Sequence, residues 1–377
     1  MRIKEIKATP INIPLARTFE WYDFTEKDTA SVIVEVLTDE GITGIGECPV
    51  PVGHNTAVKE LLERKLIPLC LEEDPFNIER IVGKIESGYR SYWYKNYIYA
   101  GSAIEIALYD IVGKALRTPV YNLLGGKTRD SVRYVGEVEI ASQEENAIAA
   151  KRLVDQGFQD VRLKVGRDEE LDVARIKSVR EAVGEKINLK VDANGLWSPS
   201  AAIRAIKNME KYDLQYVEQP VPVWDIDGMA EVRRKVDTPI AADESCFTSQ
   251  DALELIKKRA ADIFTVRAEE AGGMLNCKKL VGIAEAAGIP CIMGTWGETG
   301  IAVTAKLHLV ASSNNFPYAN DADYPNVSDD ILEGGKLPFK GGCLDVRDRP
   351  GLGVEIDRSK LARYRFNSSG EQRSSEL

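Results

Sequence analysis

Residues 160–195 read DVRLKVGRDEELDVARIKSVREAVGEKINLKVDANG. Two short apolar strands, each running out into charged residues, flank a stretch over 173–183 with the three-to-four-residue apolar spacing of an amphipathic helix. Strand, helix and strand at this length make a crossover unit, which joins parallel strands.

The unit repeats. Strand ends of the same kind follow at LQYVEQPV (214–221), TPIAADES (238–245), ADIFTVRAEE (261–270) and IPCIMGTWGE (289–298). Helical periodicity fills the intervals at 201–209, 229–236, 252–258 and 276–287. From Lys164 to Asp192 is 28 residues, from Asp192 to Glu218 is 26, from Glu218 to Asp243 is 25, and from Asp243 to Arg267 is 24. So even a step favours a closed (β/α) barrel over a doubly wound sheet, and no GxGxxG follows the first strand. In a barrel, the C-terminal ends of several strands converge on one site, so residues far apart in sequence become neighbours.

Upstream the pattern differs. Short β-type segments at 3–13 and 31–37, a turn at Asp39-Glu40-Gly41 and charge-rich helical stretches from Thr56 onward make an α+β region. Its last helix, SAIEIALYDIVGKALRTPV, sets Ile104, Leu108, Ile111 and Ala115 on one face and stops before Pro119 and Gly125-Gly126. A domain boundary near residue 125 follows.

Composition narrows the function. Of 377 residues, 44% are hydrophobic and 29% charged, a globular balance, and no apolar run approaches the roughly 18 residues of a membrane span. The N-terminus lacks the apolar core of a secretory signal, so a cytoplasmic protein is expected. Six cysteines are scattered singly, without zinc or redox spacing. A net charge of −10 disfavours nucleic acid or an anionic membrane as partner. The expected partner is a small molecule, met by a homo-oligomer.

Asp192, Glu218 and Asp243 end successive strands, and three carboxylates aimed at one point cannot all stay ionised without a cation. An all-oxygen donor set with no nearby cysteine or histidine suits Mg²⁺ first and Mn²⁺ second. The third ligand is open by pattern alone, because Asp243 and Glu244 are adjacent and strand alternation turns only one of them inward. Arg162 and Lys164, two apart, share a face opposite Leu163. The guanidinium beside Lys164, with burial, is expected to lower the lysine's pKa toward that of a working base. A divalent metal beside a lysine suits removal of a proton α to a carboxylate.

The chain resembles the enolase superfamily, in its muconate-lactonizing and dipeptide-epimerase subgroup, over nearly its whole length. The likeness rests on SAIEIALYDIVGKAL with PVYNLLGG, on RLKVG, VDANG, VEQPV and ADES, on the AGG after the sixth barrel strand, and on PGLGVEID. It implies an α+β capping domain over 1–125, a (β/α)₇β TIM-like barrel over 126–330, and a segment over 331–366 that returns to the cap. The polar tail NSSGEQRSSEL, 367–377, is expected to be disordered. By motif the metal ligands fall on Asp192, Glu218 and Asp243, with Asn194 and Glu244 behind them. Lys164 falls on the second lysine of a KxK motif whose first is Arg162 here. Neither histidine, His54 or His308, sits where the mandelate-racemase branch keeps its base, and His308 reads as structural.

Arg267 departs from the pattern. The subgroup ends its sixth strand in a lysine, the second base of a two-base epimerase, and arginine does not give up its proton at accessible pH. One-base chemistry is therefore the leading expectation: syn elimination or muconate-type cycloisomerisation. An amino-acid or dipeptide epimerase comes second, and a metal-binding homologue without turnover third. For substrate contacts, TFEWYDFTEKD (18–28) offers Trp21 and Tyr22, PVGHNT (51–56) offers His54, and the seventh strand end offers Trp296 and Glu298. Asp321 and Asp323 in NDADYP resemble the DxD with which dipeptide epimerases hold a substrate ammonium. Together with Glu137 and Glu298 they favour a carboxylate substrate that also carries a cationic group.

Overall fold

A computed structural model describes residues 1–21, 24–87 and 94–366. The capping domain is a three-stranded antiparallel sheet of β1 (Ile3–Trp21), β2 (Phe24–Thr38) and β3 (Thr43–Val50), covered by the helix Tyr94–Ala115. The strands run further than the apolar segments alone indicate, since β1 and β2 stay paired from Ile3↔Thr38 out to Trp21↔Phe24. Gly44 and Gly46 of β3 let the helix lie directly on the sheet. A β-carbon at either would collide with the carbonyl oxygens of Ala107 and Ala103.

β4 (Ser131–Arg133) pairs with β12 (Cys343–Asp345) beneath the barrel. The barrel is a seven-stranded parallel sheet: β5 (Gly136–Val138), β6 (Asp160–Lys164), β7 (Asn188–Asp192), β8 (Leu214–Glu218), β9 (Ile240–Ala242), β10 (Ile263–Val266) and β11 (Cys291–Met293). Residues 320–321 close it as an eighth strand. Asp321 N–H donates to Met293 O at 2.9 Å on one side, while Asn320 N–H donates to Arg133 O at 2.9 Å and Asn320 O accepts from Val135 N–H at 2.8 Å on the other. The fold is thus a (β/α)₇β TIM-like barrel with an α+β cap. Neither β5 nor the closing strand carries a long apolar run, so the repeat pattern did not reveal them. Among the described residues no helix is long and apolar enough to cross a membrane.

Strand alternation divides the barrel. Leu163, Leu189, Val191 and Val217 turn outward into the layer shared with the helices, whereas Tyr216, Ala241, Ile263 and Ile292 form a small apolar floor inside. Side chains two residues further along the same faces rise from that floor to the mouth.

Five barrel helices begin on a cap of their own: Ser142, Asp168, Ser198, Asp225 and Thr248 each accept a backbone N–H of the first turn. The helices Met274–Ala286 and Gly300–Ala311 have no such cap. The capping domain supplies it. Glu105, on the covering helix, accepts Met274 N–H at 2.9 Å and Leu275 N–H at 2.8 Å. Glu47, on β3, accepts Thr299 N–H at 2.7 Å and Ala302 N–H at 2.8 Å. These buried carboxylates satisfy orphan helix donors and lie at the positive ends of the helix dipoles.

Burial pushes Glu105 up to about 8 and Glu47 up to about 7, against the pull of those backbone donors. The folded protein then keeps a proton that the unfolded chain releases near the ordinary 4.5, so this contribution is lost as pH rises from there through about 7 and 8. We expect Glu105→Ala, which strips two helix N–H groups of their acceptor, to cost about 1–3 kcal/mol in denaturant melts. Glu105→Gln should cost less and flatten the decline in stability between about pH 5 and 8; an unchanged slope would contradict the linkage.

Candidate active site

Register brings the strand-end residues together. Lys164 lies beside Asp192 in the β6–β7 ladder, and Asp192 beside Glu218 in β7–β8. Asp243 and Arg267 follow one residue past β9 and β10, and Asp321 lies on the closing strand. All are buried, with Arg162 and Lys164 on one inward face as their spacing predicts.

The cations and carboxylates are interlocked. Arg162 donates to Glu137 at 2.8 Å, Glu218 at 2.6 Å and Asp321 at 2.7 Å. Lys164 donates to Asp192 at 2.6 Å and to Asn194 Oδ1 at 3.2 Å. Arg267 donates to Asp243 at 2.6 Å, Glu270 at 3.0 Å and the Thr295 carbonyl at 3.0 Å, and its guanidinium carbon lies 5.9 Å from the Trp296 ring centre. Burial lowers its pKa, but Asp243 and Glu270 overcome that and drive it well above the ordinary arginine value.

Two expectations are corrected here. Lys164 titrates above, not below, an ordinary lysine. Burial and Arg162 do pull it down, but the Asp192 carboxylate at 2.6 Å, with Glu137, outweighs them. Asp243 and Glu244 also both reach the site. Alternation holds only inside a strand, and β9 ends at Ala242, so Asp243 turns to Arg267 while Glu244 accepts from Asn194 Nδ2 at 2.9 Å.

Among the described residues no group of three histidine, cysteine or acidic side chains is arranged to hold a metal ion as it stands. Asp192, Glu218 and Asp243 are turned to Lys164, Arg162 and Arg267 instead. Their chemistry nonetheless fits a hard divalent cation. The donors are all oxygen, they end consecutive strands, and Asp243 Oδ1 is buried with no hydrogen-bond partner. Burial, despite Arg162, pushes the Glu218 carboxyl up to about 7, with Asp321 and Asp192 adding repulsion.

The substrate-contact candidates separate. A pocket over Lys164 and Arg267 is walled by Leu15, Phe19, Glu26 and Thr29 of the cap and by Trp296 and Asp323 of the barrel. Asn194 and Glu244 line its side. Glu137 and Asp321 are held by Arg162, and Glu298 is held by Lys306 at 2.9 Å. His54 is exposed at the start of the helix Asn55–Leu61 and does not line the pocket. The Trp21 side chain and Tyr22 lie outside the described residues. His308 is buried with Nε2 3.1 Å from Leu352 O, and burial lowers its pKa to about 4, in keeping with a structural role. Glu26 and Thr29 were not singled out from sequence. The signal lay in hairpin register, which sets Glu26 opposite Phe19.

The model of the mandelate racemase/muconate lactonizing enzyme N-terminal domain matches residues 7–125, and that of the enolase C-terminal domain-like family matches 145–360. The chain is 36% identical over 368 residues to the hydrophobic dipeptide epimerase of Enterococcus faecalis, covering 94% of this chain and 99% of that one. It is 28% identical over 367 residues to the chloromuconate cycloisomerase of Cupriavidus pinatubonensis, covering 95% and 97%. Among solved structures, the N-succinyl Arg/Lys racemase from Bacillus cereus superposes with a TM-score of 0.92 at 31% identity, over 97% of this chain and 98% of that one. With both halves matched and this barrel mouth in place, the chain belongs to the mandelate racemase/muconate lactonizing enzyme family of enolase-superfamily enzymes.

Proposed function

We propose that the protein is a Mg²⁺-dependent lyase or isomerase that removes the proton α to a substrate carboxylate with Lys164 as its one base. The observation that carries this is the pairing at the pocket floor: Lys164, a titratable amine, and Arg267, a guanidinium fixed by three partners. Asp192, Glu218 and Asp243 would hold the metal, with Mn²⁺ the alternative. When bound, the ion supplies Lewis-acid stabilisation for negative charge on the substrate carboxylate oxygens. Sharing Asp192 with a divalent cation would also remove most of what keeps Lys164 charged.

Lys164, once neutral, takes the proton as the Cα–H bond breaks, and the electron pair moves onto the carboxylate. That pair then returns to form a Cα=Cβ double bond as the bond from the β-carbon to its leaving group breaks; the leaving group keeps the electrons of the broken bond and takes the proton from Lys164 on the same face. That is a syn elimination, and lactone opening in muconate-type cycloisomerisation has the same form. Arg267 stays protonated throughout and contributes fixed charge. A second reading, epimerisation, draws on the names of the Enterococcus and Bacillus relatives and on Asp323 beside the pocket. It needs a proton donor on the face that Arg267 occupies.

With Mg²⁺ in D₂O, a panel of lactones, β-hydroxy acids, N-acyl amino acids and dipeptides should show elimination, isomerisation or α-exchange that keeps one configuration. Equal labelling of both α-epimers, followed by NMR, would overturn the one-base reading. Lys164→Met should lower turnover by about 10²–10⁴-fold, and chelation should abolish it.

Arg267→Lys should add α-exchange from the opposite face. If the native enzyme already epimerises a substrate and this variant loses that activity, epimerisation is the correct reading.

A further inference from the structure

Every residue of the helix Gly300–Ala311 is buried, and Lys306 is its only lysine, arginine or acid. An apolar side chain there would carry no desolvation cost, whereas an ammonium does. The ammonium is nonetheless fully used. Its three donors face three acceptors: Gly294 O at 3.0 Å, Glu298 Oε1 at 2.9 Å and Glu269 Oε1 at 2.8 Å. Burial lowers the pKa of Lys306, but Glu269 and Glu298 outweigh that and keep it charged.

Those acceptors lie on two segments. Gly294 and Glu298 bound the loop after β11, and Glu269 stands in the turn after β10, two residues past Arg267. From Glu298 the constraint passes to the pocket. Its second oxygen accepts Trp296 N–H at 2.7 Å and the Thr295 hydroxyl at 2.9 Å. Thr295 O in turn accepts Arg267 Nε at 3.0 Å, and the Trp296 ring stands beside the same guanidinium. On the other segment Glu269 is followed by Glu270, which accepts Arg267 Nη1 at 3.0 Å. One ammonium thus ties together the two segments between which Arg267 is clamped. A buried ionic cluster seldom stabilises a fold better than well-packed apolar side chains of the same size, so its distinct contribution is geometry.

Resting on the reading of this pocket as the substrate site, we infer that Lys306 is a positioning residue. It does not line the pocket. Through Glu298 and Glu269 it fixes the Arg267 guanidinium and the Trp296 ring at the separation in which both face the substrate.

Two variants separate position from charge balance. Lys306→Met leaves Glu269 and Glu298 buried without their cation and should lower the melting temperature. Lys306→Met combined with Glu269→Gln removes one charge of each sign and should recover most of that loss, while Gly294 O and Glu298 still lack their donor. The readout is Trp296 emission in the Mg²⁺-loaded protein, taken as the difference from the matching Trp296→Phe protein, with acrylamide as quencher. Both variants should shift it to the red and raise its quenching. On any substrate that the native enzyme converts, both should also lower kcat about ten- to a hundredfold, the cost of roughly an ångström of misplacement. The emission is read without turnover, so a failure of the one-base reaction leaves its outcome intact. Native emission and quenching in the folded double variant would show that Lys306 only balances charge; that result, or a native kcat despite a shifted emission, overturns the inference.

Discussion

Two carboxylates of the capping domain complete two helices of the barrel, and the site depends on that exchange. Five barrel helices start on a local cap, but the two that follow β10 and β11 take theirs from Glu105 and Glu47. Those are the helices whose leading loops carry Arg267 and Trp296. A helix end left without acceptors would be free to fray, and the loop before it would move with it. The covering helix makes a third tie, since Asp110 accepts both Ile45 N–H at 3.0 Å and Leu352 N–H at 2.8 Å. Cap, barrel mouth and C-terminal segment are therefore held by the same buried acids, which fixes the cap wall over Lys164.

Inside the barrel the governing constraint is charge confined at low dielectric. A buried apolar floor of Tyr216, Ala241, Ile263 and Ile292 underlies the site. Every carboxylate above it must then find a cation or hold a proton. Arg162 and Arg267 meet much of that demand, which explains why arginine rather than lysine occupies both positions. A planar guanidinium reaches three acceptors in fixed directions, whereas an ammonium is a single point of charge. Lys164 makes fewer contacts and retains the chemistry of an amine.

Much of this was legible because barrel geometry converts a simple periodicity into a location. Lys164, Asp192 and Glu218 are the last residues of regular strands, where alternation and even spacing both hold, and the structure puts them in adjacent register. Legibility failed where one of those conditions lapsed. Alternation stops at Ala242, so it could not rank Asp243 against Glu244. The strand Gly136–Val138 is too short to show a period. The pKa of Lys164 turns on whether Arg162 or Asp192 is nearer, which spacing along the chain does not encode. Glu26 lay in plain view within TFEWYDFTEKD, but its place on the pocket wall follows from hairpin register, which sets it opposite Phe19.

The arginine at the sixth strand end is built into its surroundings. Its stem packs on Gly294, where an added β-carbon would fall 2.9 Å from both Cγ and Nε of Arg267. Its three donor directions are matched by a carboxylate on the preceding strand end, a carboxylate on the following turn and the Thr295 carbonyl. A lysine in this setting would leave Glu270 or Thr295 O without its partner, and the buried acid would have to hold a proton or move. The environment thus favours permanent charge over reversible protonation at this position. Proton transfer is left to the other face, where Lys164 has a carboxylate and an amide oxygen as its only hydrogen-bond acceptors among the described residues.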